Sequence, residues 1–507
     1  MKSKKLLLFL FTIGVFNGVG AQENKQLKLI LAEIRQFNEK EFPTDTTLSP
    51  FPLGRYREED IVRRGSFSKM QYDKLDAIPA AQLSPADKIN VALLKYSLWD
   101  DIISVKYKAY LNPILSDEGF HTSLFYRAPR VLQNAREGRQ YLNFLKTVPA
   151  YIDEHIVLMQ KGLGTGISQP LAALEGFAAT YRTHIVDSAE KSAFWRPFLK
   201  KPFGVTGNDW QQLTKEAQKI ILQAIVPAYK KLDTFFERTY YPSTRKTLGA
   251  SSFPNGREYY AELVRFHTTM NITPDEVFAL GEREVARIRK TMDSVIHAVG
   301  FKGSFKEFLQ FLRTDPRFFV GTPELLLKEA SFIAKKVDGQ LPSLFGKLPR
   351  LPYGVEAVPD YLAPTYTSGR ASTGSVKNHR AGMYWVNTYN LKSRTLYTLE
   401  ALTLHEAAPG HLLQTALSQE LTNLPPFRQS LYINAFGEGW GLYSEYLGHE
   451  LGLYKDPYSL FGRLTYEMWR ACRLVIDVGI HWKGWTRVQA VSYLADNTAL
   501  SLHEVNT

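Results

Sequence analysis

The stretch Leu404-His405-Glu406-Ala407-Ala408-Pro409-Gly410-His411-Leu412-Leu413-Gln414 decides how this chain is read. It places two imidazoles and a carboxylate within seven residues, and Glu438 follows in Gly437-Glu438-Gly439-Trp440, 27 positions after His411. Two nitrogen ligands, an acid beside the first and a distal carboxylate are the parts of a zinc hydrolase. They supply three protein ligands, a general base and an open fourth position, where the metal lowers the pKa of a water towards about 7. In the usual His-Glu-x-x-His arrangement the two histidines lie one turn apart on one helix face. Here they are six apart, which on a regular helix separates them by roughly 120° and about 9 Å of rise. Pro409-Gly410 offers a remedy, because proline lacks the N–H that would bond the His405 carbonyl and glycine accepts distorted conformations. A kink or π-bulge there would swing His411 back beside His405. The plainer alternative is a helix that ends at Ala408 and leaves His411 as a cap or core residue.

The spacing predicts a second helix over residues 433–451, with Glu438, Leu442 and Glu445 on one side. Gly437, Gly439 and Gly441 each cost a helix interior roughly 1 kcal/mol against alanine. Around one acid they point either to something that approaches this backbone closely or to helix packing through small residues. Downstream of a His-Glu…His cluster, an acid flanked by glycines favours a site.

His-Glu-x-x-Pro-Gly-His-x-x-Gln followed by Glu-Gly-Trp-x-Leu-Tyr-x-Glu resembles the bacterial family catalogued as domain of unknown function 885. That family in turn is similar to the helical, gluzincin-type zinc peptidases, relatives of the angiotensin-converting and thimet-type enzymes. Gly256-Arg257-Glu258-Tyr259-Tyr260, Leu280-Gly281-Glu282-Arg283-Glu284-Val285, the Arg473–His481 segment and Gly484-Trp485-Thr486 extend the likeness, which covers roughly residues 40 to 505. The resemblance implies His405, His411 and Glu438 as ligands of one zinc ion per chain and Glu406 as the base that activates a water and passes its proton to the leaving amine. It also implies that family members continue beyond Thr507 through an Arg-Tyr and a Pro-Gly-Gln…Tyr segment, so a truncated C-terminus is expected here.

Residues 1–21 read as a secretory signal peptide: Lys2, Lys4 and Lys5, an apolar stretch from Leu6 to Val15, then Val19-Gly20-Ala21 before Gln22. The apolar stretch is short for a membrane span, and no later one reaches the ~18 residues required. An exported protein, periplasmic or extracellular, is expected. Cleavage removes three lysines and no acid, taking the net charge from +12 to +9. No basic block alternates with stacking aromatics, so nucleic acid is not an expected partner. Cys472 stands alone, which rules out an intramolecular disulfide and suits a small apolar residue packed between Trp469 and Leu474.

Helical signals dominate the remainder. Thr273-Pro274-Asp275-Glu276 is a capping box with proline at the first helical position; Val277, Leu280, Val285, Ile288, Met292 and Val295 follow at helical spacing up to Gly300. Ser84-Pro85 and Thr322-Pro323 repeat that start signal. Residues 211–240 carry Ala217, Ile220, Ile221, Ala224, Ile225, Leu232 and Phe236 on one stripe. Residues 348–390, rich in Pro, Gly, Tyr and Thr, read as strands and turns. Their clearest strand, Met383-Tyr384-Trp385-Val386-Asn387-Thr388, is expected either as an edge that binds an extended peptide or as part of a small stabilising hairpin. The expected fold is mainly α, a single domain over residues 22–507, two-lobed around a deep central cleft, with a small β element near the metal.

Further candidates surround the core motif. Glu445 suits a partner that orients a ligand histidine better than a fourth ligand, and Gln414 suits either role or a simple cap. Arg470, Arg473, Asp477 and His481 share one helix face. A solvated salt-bridge ladder has the same pattern, but the apolar flanks imply a buried helix on which His481 suits oxyanion stabilisation and Arg470 or Arg473 a substrate carboxylate. Tyr384, Asn387 and Tyr389 are weaker substrate contacts. The leading expectation is a zinc-dependent peptidase acting on short peptides or other small amides. The alternative is an inactive, truncated relative that binds metal or peptide. A serine hydrolase is disfavoured, since no Gly-x-Ser-x-Gly elbow is present.

Overall fold

The computed structural model describes residues 24–43, 46–47, 49–129, 131–360, 362–376 and 380–506, so the expected leader over residues 1–21 lies outside the described residues. Helix accounts for 66 % of the described residues and strand for 4 %, the mainly α class that the apolar periodicity requires. The N-terminal helices are α1 (Lys25–Glu41), α2 (Glu58–Asp76), α3 (Pro85–Lys106), α4 (Phe120–Arg127), α5 (Ala135–Thr165), α6 (Ala179–Arg182), α7 (Gly207–Ile220) and α8 (Val226–Phe235). Then come α9 (Gly256–Thr268), α10 (Pro274–Ala298), α11 (Phe305–Thr314) and α12 (Pro323–Asp338). The C-terminal helices are α13 (Leu399–Glu406), α14 (His411–Gln419), α15 (Phe427–Ser430), α16 (Asn434–Leu447), α17 (Pro457–His481), α18 (Arg487–Asn497) and α19 (Leu502–Asn506).

The helix starts follow local chemistry. Ser84, Thr273 and Thr322 each accept a hydrogen bond from the backbone three residues on, and Thr273 with Glu276 forms the full capping box. Gly300, at φ 70°, follows the end of α10. The stripe over 211–240 is one nearly continuous helical run, interrupted by π-turns at Ile221–Ile225 and Phe236–Tyr240. Each π-turn lies just before a proline, Pro227 or Pro242, and shifts the hydrogen-bond register where the ring has no N–H to donate.

Two large apolar cores organise the chain. The first packs Phe120, Tyr141, Phe177, Tyr181, Tyr229 and Phe236. The second packs Phe308, Tyr384, Leu404, Leu412, Phe461 and Cys472, so the lone cysteine has the apolar packing role its neighbours implied. Helices α10 and α17 approach closely at Gly281, where a Cβ would lie 2.8 Å from Val475 Cγ2.

The β element is a three-stranded sheet of order β1-β3-β2, built from β1 (Tyr353–Ala357), β2 (Gly369–Ser372) and β3 (Gly382–Val386). β1 runs parallel and β2 antiparallel to β3, placing Tyr384 between Val355 and Ala371. The expected edge strand is therefore corrected. β3 is paired on both sides and buries Gly382, Tyr384 and Val386, while the edges are β1 and β2. Alternation identifies a strand, but pairing on its second side comes from a partner far upstream.

In the first core His121, His155 and His184 lie among aromatic rings; His155 stacks on Phe120 at 4.3 Å and His184 lies 4.5 Å from Tyr229. Burial pushes His155 and His184 down to about 4 and His121 to about 3. The unfolded chain takes up these protons near the ordinary value of about 6.5. Below that pH the unfolded state binds more protons, so stability present above it is lost as pH falls towards the folded values. One such histidine accounts for on the order of 3 kcal/mol across the window. Thermal unfolding followed by circular dichroism should show a steep drop in midpoint between about pH 6.5 and about pH 4.5, and the His155→Phe variant should flatten it.

Candidate metal centre

Helix α13 ends at Glu406 and α14 begins at His411. Between them the Ala408–Pro409 peptide is cis, and Gly410 lies so close to the carbonyls of Leu404 and His405 that no side chain fits. The Ala407 carbonyl accepts from the amides of Leu412 (3.1 Å) and Leu413 (3.4 Å), so the second helix starts directly from the end of the first. The outcome combines both readings of the sequence. The helix does end, and the restart returns the His411 ring to 4.7 Å from the His405 ring, perpendicular to it.

Glu438 arrives on α16. Gly441 rests against the His405 imidazole, where a Cβ would lie 2.7 Å from each ring nitrogen. Gly437 makes room for the Tyr432 ring, and Gly439 faces open space. Close approach at this backbone is thus made by a candidate ligand itself. Trp440 Nε1 donates to the Pro409 carbonyl at 2.8 Å, tying α16 to the break.

These three helices bring His405, His411 and Glu438 together. His405 Nε2 lies 3.5 Å from Glu438 Oε2, and His411 Nε2 lies 3.8 Å from Glu438 Oε1. One donor atom from each falls within 4.8 Å of the others. His405 Nδ1 faces the wholly buried Glu445 at 2.9 Å, which leaves Nε2 directed at Glu438. Arg470 is 3.0 Å from the same Glu445 oxygen, 3.0 Å from His405 Nδ1 and 3.3 Å from Nε2. Glu406 Oε2 accepts from the Ala371 amide of the edge strand β2 at 2.7 Å. Glu445 Oε2 and Gln414 Oε1 are buried without hydrogen-bond partners.

Burial disfavours a charge on His405, but hydrogen bonds with Glu438 and Glu445 outweigh it and hold its pKa up at about 9. The hydrogen bond from His405 holds Glu438 down at about 2. Burial and the neighbouring His405 charge press His411 down to about 4. Burial raises the Glu406 carboxyl. The surroundings thus favour the charged form of His405 and the neutral form of His411.

Other candidates fall elsewhere. Tyr384 is fully buried, with its hydroxyl 3.3 Å from Thr403 Oγ1. Asn387, also fully buried, donates to the carbonyls of Ala363, Tyr366 and Thr367 and accepts from the Tyr389 amide. Arg473 is exposed over the Trp469 ring. His481 accepts from the Ala250 amide at 2.9 Å and stacks on Tyr260, about 16 Å further along α17 than Arg470. Of the α17 set, Arg470 alone touches the centre among the described contacts. Tyr432, which sequence reading missed, has its hydroxyl 3.4 Å from Glu438 Oε1; the signal for it was Gly437, which its ring requires.

Fold and site together define a mainly helical protein that carries a His-His-Glu cluster at a broken helix. Residues 52–507 match the family described as "Bacterial protein of unknown function (DUF885)", and the chain belongs to it. Among solved structures it is similar to "the putative lipoprotein from Colwellia psychrerythraea", at TM-score 0.81 and 23 % identity, over 95 % of this chain and 87 % of that one. It is also similar to a "putative lipoprotein of unknown function from Shewanella oneidensis", at TM-score 0.64 and 17 % identity, over 94 % and 88 % of the respective chains. No curated protein matches.

The two glycines of α16 give opposite expectations in chemical denaturation. Gly441→Ala drives a methyl into the His405 ring and should destabilise by about 1–3 kcal/mol. Gly439→Ala meets open space in a helix and should stabilise by up to about 1 kcal/mol.

Proposed function

We propose that this chain is an exported zinc-dependent peptidase that hydrolyses short peptides, with His405, His411 and Glu438 holding the ion and Glu406 acting as general base. The observation that carries the reading is the convergence of three donor atoms within 4.8 Å immediately beside Glu406. Two imidazole nitrogens and a carboxylate are the donor set of a catalytic zinc site. Bonds of about 2.1 Å in a tetrahedron set the donors about 3.4 Å apart. The 3.5 and 3.8 Å separations to Glu438 approach that value, and all three donors lie within 4.8 Å, so an ion would draw the set inward. The proton on His405 must leave as an ion enters.

A bound zinc would supply Lewis-acid chemistry, polarising a carbonyl and acidifying a water. The chain's own groups do the rest. Glu445 fixes the orientation of the His405 ring through Nδ1. The Ala371 amide holds one Glu406 oxygen, and a carboxyl raised by burial is the stronger base for taking a proton from water and delivering it to a leaving amine. The edge strand β2, whose Ala371 touches Glu406, suits an extended peptide added along it. A likeness to gluzincin-type peptidases, with a cleft between the two cores that admits short chains, belongs to the same reading. Export is supported by the leader sequence and by the lipoprotein descriptions of the two similar structures.

A second reading, a binding protein without turnover, draws on Arg470. Its guanidinium lies 3.3 Å from His405 Nε2, where it opposes a second cation. Metal content and peptide turnover together separate the two readings. The zinc reading expects close to one zinc per mature chain, lost in His411→Ala, and an absence of zinc after supplementation would overturn it. Glu406→Gln should retain the ion and lose peptide turnover by about 10²–10⁴-fold. Glu445→Gln should keep the fold and weaken zinc about 10–100-fold in competition with a chromophoric chelator.

A further inference from the structure

A cavity of about 630 Å³ lies between α1, α2, α3 and the segment 427–432. We propose that it is the specificity pocket of the candidate centre and takes a large apolar, preferably aromatic, side chain of the peptide. The proposal rests on the peptidase reading for its substrate and on the following geometry for its chemistry.

The cavity begins one side chain away from a candidate ligand. Tyr432 lines it, and the same residue's hydroxyl lies 3.4 Å from Glu438 Oε1. A peptide whose carbonyl sits at the centre can therefore send a neighbouring side chain past Tyr432 into this space. The wall is mixed, with an apolar part in which Phe37 and Phe67 stack at 3.8 Å beside Leu94, Leu98, Val105 and Leu158, and a polar part that includes Arg64, Ser68 and Asp101. The volume falls within the ~300–1,000 Å³ typical of ligand sites and leaves room for a ring.

Three polar groups of the wall, Ser68, Arg64 and His155, are already engaged within the protein. Ser68 donates to Asp101 at 2.7 Å. Arg64 donates to Glu41 and to the Arg55 carbonyl. His155 Nδ1 bonds the Tyr151 carbonyl at 2.7 Å. An acidic side chain entering here would meet Asp101 and find Arg64 already bonded, whereas an aromatic ring gains by leaving water for the Phe37–Phe67 part of the wall. Nearly all of this wall comes from residues 34–158, far in sequence from the cluster at 405–438.

The test uses the full mature chain carrying Glu406→Gln, so that peptides bind without being cut, and calorimetry with the tripeptides Ala-Phe-Ala and Ala-Gly-Ala. The phenylalanine peptide should bind at least about tenfold more tightly. Ser97→Phe and Ser104→Phe each place a ring in the cavity from a different position, and should reduce that preference to about twofold or less. The zinc content and melting temperature of each filled variant confirm that it has folded. Equal affinities in the unfilled protein, or a preference that survives both fillings, would overturn the proposal. A phenylalanine preference that the fillings abolish, in a protein whose zinc-loaded parent cuts neither peptide, upholds the pocket and overturns the hydrolysis alone.

Discussion

Pro409 has no amide hydrogen to give the His405 carbonyl, and Gly410 has no Cβ to hold the next turn away from it. The helix that carries His405 must therefore stop, and the chain can fold back tightly enough to start another from the Ala407 carbonyl. The rest of the centre depends on this one break. It cancels the angular and axial offset that six residues of regular helix would impose, and it exposes the Pro409 carbonyl that Trp440 grips. Through that contact α16 is registered so that Gly441 meets the His405 ring and Glu438 reaches both imidazoles.

The centre is also a problem in buried charge. Glu445 has no exposure to water, and a lone carboxylate there would be costly. Arg470 and the His405 imidazole share one of its oxygens. The same arrangement fixes which ring nitrogen of His405 is left for Glu438. Orientation and charge compensation are thus supplied by the same three side chains, and removing one disturbs both.

Much of this was legible in the sequence where the cause is local. Capping chemistry at Ser84, Thr273 and Thr322 fixes helix starts because the hydrogen bonds span three residues. Alternation marks β3, but its central place depends on β1, whose Tyr353 pairs with Gly382 across a long excursion that carries no local signal. His405, His411 and Glu438 were readable as a set, whereas their convergence hangs on the Ala407–Gly410 geometry. Ala371 contributes a backbone amide and so leaves no residue-type signature. His481 was misplaced for a reason the sequence did contain: eleven residues along a helix carry a side chain far down the axis from Arg470, whatever face they share.

The positive charge that Glu438 and Glu445 favour on His405 bears on the order in which the chain folds and would take up an ion. A cluster of carboxylates with no counterion would repel itself, and the chain would need metal to close around. Here the imidazolium and the Arg470 guanidinium already balance Glu438 and Glu445. The polypeptide can finish folding with the cluster electrically satisfied, and on the proposed zinc reading loading would be an exchange of one small cation for another. Maturation under that reading would be a cation swap within a finished scaffold, the ion acquired after the polypeptide has taken its shape.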